Sequence, residues 1–364
     1  MKNAAYKEDR FSLKNPFKTI DDKSAPLIIE IINSKAFSRL RDVKFLGGID
    51  YLSVRRPNGS WGRSRYTRFQ HSIGVARLAS FYCSIRGLDT ASSRTLIAAS
   101  LLHDVGHSPL SHTIEGKFSE WFGINHHRAT EDVILGRSRY GDSISSVLER
   151  HDVNPQEVVD LLSQRDDPFD GYFSGPINFD TIEGICRSWA YSGNAGLAVS
   201  PEVVLCAAIA RANDHDKRIV DAFWELKDRA YKYIVRSPRG VLADKLCEAA
   251  IDMDRARIVP ADFLSSEKSL LRKSPRLKRL LVEGVVENEL LERIGMTIDY
   301  VERHFYVEES VAFFSRNDGQ RYKQIKKRKE VSLPRMVELA IEGDKGRNGV
   351  YWNEGIFRAQ TWRA

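Results

Sequence analysis

Leu101-Leu102-His103-Asp104-Val105-Gly106-His107-Ser108-Pro109-Leu110-Ser111-His112 is the stretch from which the rest of this 364-residue chain can be read. It sets three histidines and a carboxylate within ten residues. They directly follow an apolar run (Leu96, Ile97, Ala98, Ala99, Leu101, Leu102) with helical periodicity, and Gly106 and Pro109 end or bend that helix. Neutral imidazole and carboxylate are the ligands that a borderline or hard divalent ion takes. Adjacent His103 and Asp104 can both reach one ion only where regular backbone gives way, which is what a helix end provides. A single histidine on an apolar face is usually a hydrogen-bonded core residue. Here six of the nine histidines (His71, His103, His107, His112, His126, His127) fall within 57 residues, and a core holding them all would have many ring nitrogens to satisfy.

The bulk composition bounds the alternatives. Hydrophobic residues make up 42% and charged residues 29% of the chain, as in a soluble globular protein with one large core or two modest domains. No apolar run approaches the roughly 18 residues of a membrane span, and the polar start Met1-Lys2-Asn3-Ala4-Ala5-Tyr6 lacks a signal-peptide hydrophobic region. These features point to the cytoplasm. Cys83, Cys186, Cys206 and Cys247 are widely spaced in partly apolar stretches and are expected to be buried free thiols. The net charge of +7 suits anionic partners such as nucleotides, polyphosphate or nucleic acid, although solvated surface lysines give the same total.

Working outward, residues 1–22 read as a polar arm, 23–255 as a helical core and 256–364 as an accessory region. A helix from Ser24 carries an apolar stripe through Ile28, Ile29, Ile31, Ile32, Phe37, Leu40, Val43 and Phe45, and Gly47-Gly48 stops it. Between residues 49 and 66 a small β-hairpin is expected around Pro57-Asn58-Gly59-Ser60. Its arginines and the one beyond it (Arg55, Arg56, Arg63, Arg65, Arg68) fit either a solvated face or an anion site. Helices are expected over 71–86, 91–103, 109–121, 127–136, 143–150 and 155–163. After a loop at 164–178 they resume over 179–190, 201–235, 240–252 and about 276–303. The fold class is therefore all-α with a small hairpin. Residues 316–330 carry seven Lys or Arg against two acids, a run that fits a solvated face or a nucleic-acid contact. The aromatic stretch Gly349–Phe357 is suited to docking on the body or on a second subunit.

Two adjacent residues cannot enclose an ion, so ligands must come from several elements. His71 opens one helix, His103 and Asp104 close another, and a further carboxylate has to come from downstream. This order on a helical scaffold resembles the HD-domain metal-dependent phosphohydrolases, in particular the branch of bacterial dGTP triphosphohydrolases and the vertebrate dNTPase that joins a sterile-alpha-motif domain to an HD domain. Three further segments carry the resemblance. Phe37–Gly48 is similar to the family's Arg-Leu-containing opening helix with its Gly-Gly end. Arg68-Phe69-Gln70-His71-Ser72-Ile73-Gly74 is similar to its Arg-Phe-Glu-His-Ser-Leu-Gly, and Ile177–Ser188 is similar in register to its last-ligand helix. The match covers about residues 36–195.

The resemblance implies an HD-domain helical bundle and a divalent metal ion (Mn, Fe, Co, Ni, Zn or Mg) held by His71, His103, Asp104 and Asp180, with Asp244 as the second candidate for the last position. It implies His112, His107 and His126 at the reaction centre. His112 is the first choice for general acid because imidazole titrates near neutrality, whereas hydrogen bonding to the ligands suits His107 and His126 as well as direct catalysis does. Arg68 is the expected phosphate clamp, with Phe45 and Leu46 at the substrate. A second ion, completed by His126 and His127 with Asp104 bridging, stays open. The family's sugar-contacting Gln is Phe45 here, its Lys or Arg, Tyr and Asp on the last-ligand helix are Thr181, Gly184 and Ser188, and His127 replaces an expected Glu. The implied partners are a nucleotide substrate, a nucleotide activator, nucleic acid along the basic hairpin and tail, and a second copy of the chain; no membrane is implied. dNTP triphosphohydrolysis leads. The alternatives are a nuclease or cyclic-nucleotide phosphodiesterase, a di-iron oxidase, and a nucleotide-sensing or nucleic-acid-binding module with a structural metal site.

Overall fold

The computed structural model describes residues 24–51, 54, 55, 61, 62, 66–163, 168, 169, 171–191, 199–313 and 318–342. The N-terminal arm, the hairpin tip with Arg56, Arg63 and Arg65, and the aromatic stretch Gly349–Phe357 lie outside the described residues. The fold is predominantly helical, as the periodicity predicts. Helix α1 (Ala25–Asn33) ends at Ser34, whose hydroxyl caps the next short helix α2 (Lys35–Ser38) by accepting from the Phe37 amide. A 3-10 turn at Arg39–Asp42 follows, so the single stripe expected from Ser24 is delivered by three short pieces. Gly47–Tyr51 form another 3-10 turn, which removes Tyr51 from the expected hairpin. The hairpin itself consists of β1 (Val54–Arg55) paired antiparallel with β2 (Trp61–Gly62).

Helices α3 (Arg68–Arg86) and α4 (Thr90–Leu102) pack together through a three-residue connection, Gly87 supplying the left-handed turn at φ 61°. A capping box starts α3: Thr67 Oγ1 accepts from the Gln70 amide, and Gln70 Oε1 accepts from the Thr67 amide. Helix α4 buries Leu96–Leu102 on all sides, as a central helix must. The chain then runs through α5 (Glu115–Phe122), α6 (His126–Ile134), α7 (Ser145–Arg150) and α8 (Pro155–Leu162). It continues through α9 (Phe179–Tyr191), α10 (Pro201–Ala210), α11 (Asp214–Ala230) and α12 (Pro238–Met253).

Beyond α13 (Glu267–Lys273), α14 (Pro275–Lys278) and α15 (Asn288–Ile294) the structure departs from expectation. The helix expected over 276–303 is broken at Gly284 and Gly295, both at positive φ, and residues 297–307 are a strand. Strand β3 (Thr297–Val307) pairs antiparallel along its whole length with β4 (Tyr322–Ser332), from Thr297 opposite Ser332 to Val307 opposite Tyr322. The basic run therefore becomes one arm of a two-stranded ribbon, flanked by α16 (Asp318–Arg321) and α17 (Leu333–Glu342).

Two apolar clusters hold these elements. One joins α1–α4, α7–α11 and the Phe305 end of the ribbon. The other gathers Leu110, Ile114 and Phe118 with α12, Phe263, Leu270, Leu277 and the Met336–Val337 face of α17. Residues 101–118 thus start in one core and finish in the other. Cys83, Cys186 and Cys247 are buried free thiols, while Cys206, on the outer face of α10, is free and exposed. No helix among the described residues is long and apolar enough to cross a membrane.

Candidate metal centre

The first turn of α3 points His71 into the interior, where it is fully buried. Its Nδ1–H donates to Glu183 Oε2 at 2.5 Å. Glu183, on α9, is in turn held by Arg187 one turn further on, whose Nε donates to Oε1 at 2.9 Å. Gly74 makes room for this carboxylate, because a Cβ there would run into Glu183. His103, at the C-terminal end of α4, donates from Nδ1 to the Ser100 carbonyl at 2.8 Å. Both rings are thereby committed to presenting Nε2 to the same point, and the two Nε2 atoms lie 3.2 Å apart.

Two carboxylates close on that point. Asp104 Oδ2 lies 3.5 Å from His71 Nε2 and 3.4 Å from His103 Nε2. Asp180, from the first turn of α9, brings Oδ1 to 3.0 Å from His71 Nε2 and 3.9 Å from His103 Nε2. His71, His103 and Asp104 form a metal-sized group, and Asp180 stands at its solvent edge, nearest to His71. Two ligands about 2.1 Å from one ion, at octahedral or tetrahedral angles, stand about 3.0–3.4 Å apart, so the 3.2–3.5 Å spacing among His71, His103 and Asp104 fits a divalent cation. Without one the cluster draws in a proton. Burial opposes charge on His71, but the Glu183 charge and the bonds to Asp180 and Glu183 push its pKa up to about 9. Burial alone would raise Asp104, yet the charges of His103 and Arg68 hold it well below the usual carboxylate range.

Arg68 donates from Nη1 to Asp104 Oδ2 at 2.7 Å and from Nε to Ser111 Oγ at 2.9 Å. Ser111 and Leu110 both sit at positive φ (51° and 60°), the strained part of the loop after His107. Arg39 fastens that loop from below, donating to the carbonyls of Val105 and His107 at 2.8 Å each. Gly106 lets it press against α6, where a Cβ would collide with the Thr130 backbone. Phe45 packs its ring 4.8 Å from the His71 ring and under Arg68. Leu46 lines the same cleft, with its amide held by Asp50 Oδ2 at 2.6 Å.

A second group stands beside the first. His107 Nε2 donates to Asp104 Oδ1 at 3.0 Å, and its ring stacks on that of His126 at 4.4 Å. Glu115 reaches between two imidazoles, accepting from His126 Nδ1 at 2.6 Å and from His112 Nδ1 at 3.0 Å. Burial would raise Glu115, but those two bonds hold its carboxyl far below the usual range. Burial, reinforced by the Arg68 charge, keeps His107 neutral. His107, His112, Glu115 and His126 lie close enough together to form a metal-sized group of their own. His126 is thus grouped with these residues and not with His127 and Asp104, the set expected for a second ion. His127 lies ring to ring with His126 at 3.9 Å.

Asp244 is elsewhere engaged: its Oδ1 accepts from Thr113 Oγ1 at 2.8 Å, and Thr113 Oγ1 accepts from the Gly48 amide. The structure brings Asp180, and not Asp244, to the histidine pair. Sequence reasoning passed over Glu183 and Glu115. Glu183 lies three residues after Asp180 and four before Arg187, a helical spacing that was available to be read. Lys227, Arg236 and Arg303 line the same cleft from α11, the turn after it and β3, and nothing local marks them. Burial pulls Lys227 down to about 8, with the Asp180 charge opposing and that of Arg303 adding. Two clefts, of about 770 and 910 Å³, meet at the cluster and share Asp104, Asn125, His126, His127 and Asp180.

Residues 68–178, which run from the Arg68 clamp through the whole His-Asp loop, match the family model of the HD domain. That segment is similar to an HD domain. The chain is 25% identical over 195 residues to an uncharacterized protein of Mycoplasma genitalium, covering 51% of this chain and 44% of that one. It is 28% identical over 180 residues to the deoxynucleoside triphosphate triphosphohydrolase SAMHD1 of Gallus gallus, covering 46% of this chain and 26% of that one. These matches span from about a quarter to under half of the relatives' length. A solved structure of a hypothetical protein from Aquifex aeolicus has the same fold, with a TM-score of 0.59 at 18% identity, covering 89% of this chain and 96% of that one. Of the HD domain's surroundings, α9 from Phe179 onward, α11 and the ribbon lie beyond the matched segment, yet all three face the cluster.

Proposed function

We propose that this protein is a metal-dependent nucleotide phosphohydrolase, with release of triphosphate from a dNTP as its reaction. The observation that carries this reading is the metal-sized group of His71, His103 and Asp104, with Asp180 3.0 Å from His71, beside an open cleft rich in cations. These four would hold the ion. Mixed nitrogen and oxygen donors suit Mn, Fe, Co, Ni or Zn better than Mg. When bound, a divalent ion supplies acidity to a water and screens the charge that keeps an anionic nucleophile from phosphorus.

The chain's own groups do the rest. Arg68 spends Nε and Nη1 on Ser111 and Asp104, which keeps Nη2 for a non-bridging phosphate oxygen. His112, once protonated at Nε2 as well as at the Nδ1 that donates to Glu115, passes its Nε2 proton to the leaving oxygen and returns to the neutral ring. His126 is aligned by the same carboxylate, and neutral His107 holds Asp104 in its orientation. Around the sugar, Phe45 takes the space beside Gly184: its Cζ lies 3.6 Å from where a Cβ at 184 would stand. The departures at Phe45 and Gly184 therefore belong together, and they retune substrate choice without touching the proposed ligands.

A second reading, phosphodiester cleavage of an extended chain, is favoured by the two clefts that meet at the cluster. A product-resolved assay separates the two. Metal-stripped protein supplied with Mn, Co, Ni or Mg should release inorganic triphosphate and nucleoside from a dNTP, and Asp104→Ala should abolish the release. Mononucleotides from single-stranded DNA would favour the second reading, and absence of turnover on every substrate, with or without added dGTP or GTP as activator, would refute the hydrolase assignment.

A further inference from the structure

We infer that Glu267, the first residue of α13 in the C-terminal region, is a positioning residue for Arg68: it brackets the two loop segments that seat the Arg68 guanidinium. The inference rests on the phosphohydrolase reading for the role of Arg68 as phosphate clamp. It is carried by different observations, because Glu267 lies outside the HD-matched segment and outside every motif of the resemblance.

Glu267 is buried. Among the described residues it takes part in no ion pair, and its oxygens accept instead from groups on two distant segments. Oε1 accepts from the Lys44 amide at 2.6 Å and from the Leu110 amide at 3.1 Å, and Oε2 accepts from the Tyr51 hydroxyl at 2.6 Å. A buried carboxylate without a counter-ion is costly to desolvate. That cost goes with one oxygen tying the chain at Lys44 to the chain at Leu110.

The bracketed segments are the seat of Arg68. Ser111, next to Leu110, donates from Oγ to the Lys44 carbonyl at 2.5 Å and accepts from Arg68 Nε at 2.9 Å. Lys44 thus offers its amide to Glu267 and its carbonyl to the hydroxyl that carries Arg68. The main chain repeats the link, since Lys44 bridges to Thr67 and the Arg68 amide donates to the Val43 carbonyl at 2.9 Å. Leu110 and Ser111 hold positive φ, a conformation that persists only where the surroundings impose it. Glu267 supplies the bond at Leu110, and Ser108 Oγ donates to the Ser111 carbonyl at 2.9 Å. Glu267 itself lines neither cleft, so its effect on a ligand has to pass through Arg68. The imidazoles of the metal-sized group are oriented by other partners, Glu183 for His71 and the Ser100 carbonyl for His103. Phosphate grip and metal affinity therefore separate.

Inorganic tripolyphosphate and Mn(II), titrated separately by calorimetry into the metal-stripped full-length chain, are the probes. Glu267→Ala should weaken tripolyphosphate binding by on the order of tenfold and leave Mn(II) affinity as in the wild type. Glu267→Gln keeps Oε1 for the two amides and turns its NH2 toward the Tyr51 oxygen, so it should recover most of the affinity. In an Arg68→Ala background Glu267→Ala should cause no further loss, as expected of a residue that acts through Arg68. Lys273→Gln, at the far end of α13, should bind as wild type does. If the Ala variant does not fold, Tyr51→Phe decides: it removes the Oε2 bond alone and should cost about threefold in tripolyphosphate affinity. Wild-type affinity in Glu267→Ala, or in Tyr51→Phe where the Ala variant does not fold, would overturn the inference. So would equal losses for Mn(II) and tripolyphosphate, additive losses in the double variant, or no tripolyphosphate binding by the wild type. The expected binding pattern in a protein that hydrolyses no nucleotide would refute the hydrolase reading alone. Nucleotide hydrolysis with KM and kcat unchanged in Glu267→Ala would refute the positioning role alone.

Discussion

Glu183 does for His71 what nothing in the His103–His112 loop can do: it fixes which ring nitrogen faces the cluster. Its bond to Nδ1, backed by Arg187, makes Nε2 the only nitrogen His71 can offer, and such carboxylate partners raise ligand basicity as well. Glu183→Gln keeps the size but not the charge, so affinity for Mn(II) should fall about 10–100-fold, as read by competition with a metallochromic chelator; an unchanged affinity would remove Glu183 from the site. Asp50 allows a different test. Burial pushes its carboxyl up to about 8 from the ordinary 3.8, against the pull of the Leu46 amide. Between those values the folded state binds more protons than the unfolded chain. The contribution to stability is therefore complete below pH 3.8 and is lost as pH rises toward 8. Asp50→Asn should flatten the decline in melting temperature between pH 5 and pH 8, and an unaltered slope would contradict the assignment.

At the scale of elements, legibility followed locality. The helices α3, α4, α6, α7 and α8 were readable from apolar residues at helical spacing, whereas the helix expected over 109–121 begins only at Glu115, after a 3-10 turn at Ser111–Thr113. Asp180 was found by register, and Glu183 was within reach of the same argument. The ribbon was not, because Thr297–Val307 alternates too weakly to announce a strand. Its pairing partner, Tyr322–Ser332, lies 15 residues beyond its end and reads as a solvated charge run. Only the docking of Phe305 between Trp224 and Tyr231 turns that run into an edge strand, and such long-range packing leaves no local mark. The consequence is measurable: Phe305→Ala should cost about 3–5 kcal/mol in denaturant unfolding, and a loss below about 1 kcal/mol would mean that the ribbon is not held by this contact.

On the scale of the whole molecule, the cluster lies where the two apolar cores meet. Leu101, Leu102 and Val105 belong to one core and Leu110, Ile114 and Phe118 to the other, and the ligand-bearing loop is the chain between them. His71, His103, Asp104 and Asp180 come from three separate helices or their ends, so an ion held among them would brace α3, α4 and α9 together, and binding to the folded state alone would stabilise it. On the proposed assignment these four side chains, with Asp180 as the last, would hold a divalent ion. The most direct measurement is a calorimetric titration of metal-stripped protein with Mn(II), comparing wild type, Asp180→Ala and Asp244→Ala. Tight binding is expected in the wild type, the same affinity in Asp244→Ala, and at least about a tenfold loss in Asp180→Ala. Loss of binding in Asp244→Ala with Asp180→Ala unaffected, or no binding in the wild type, would contradict it.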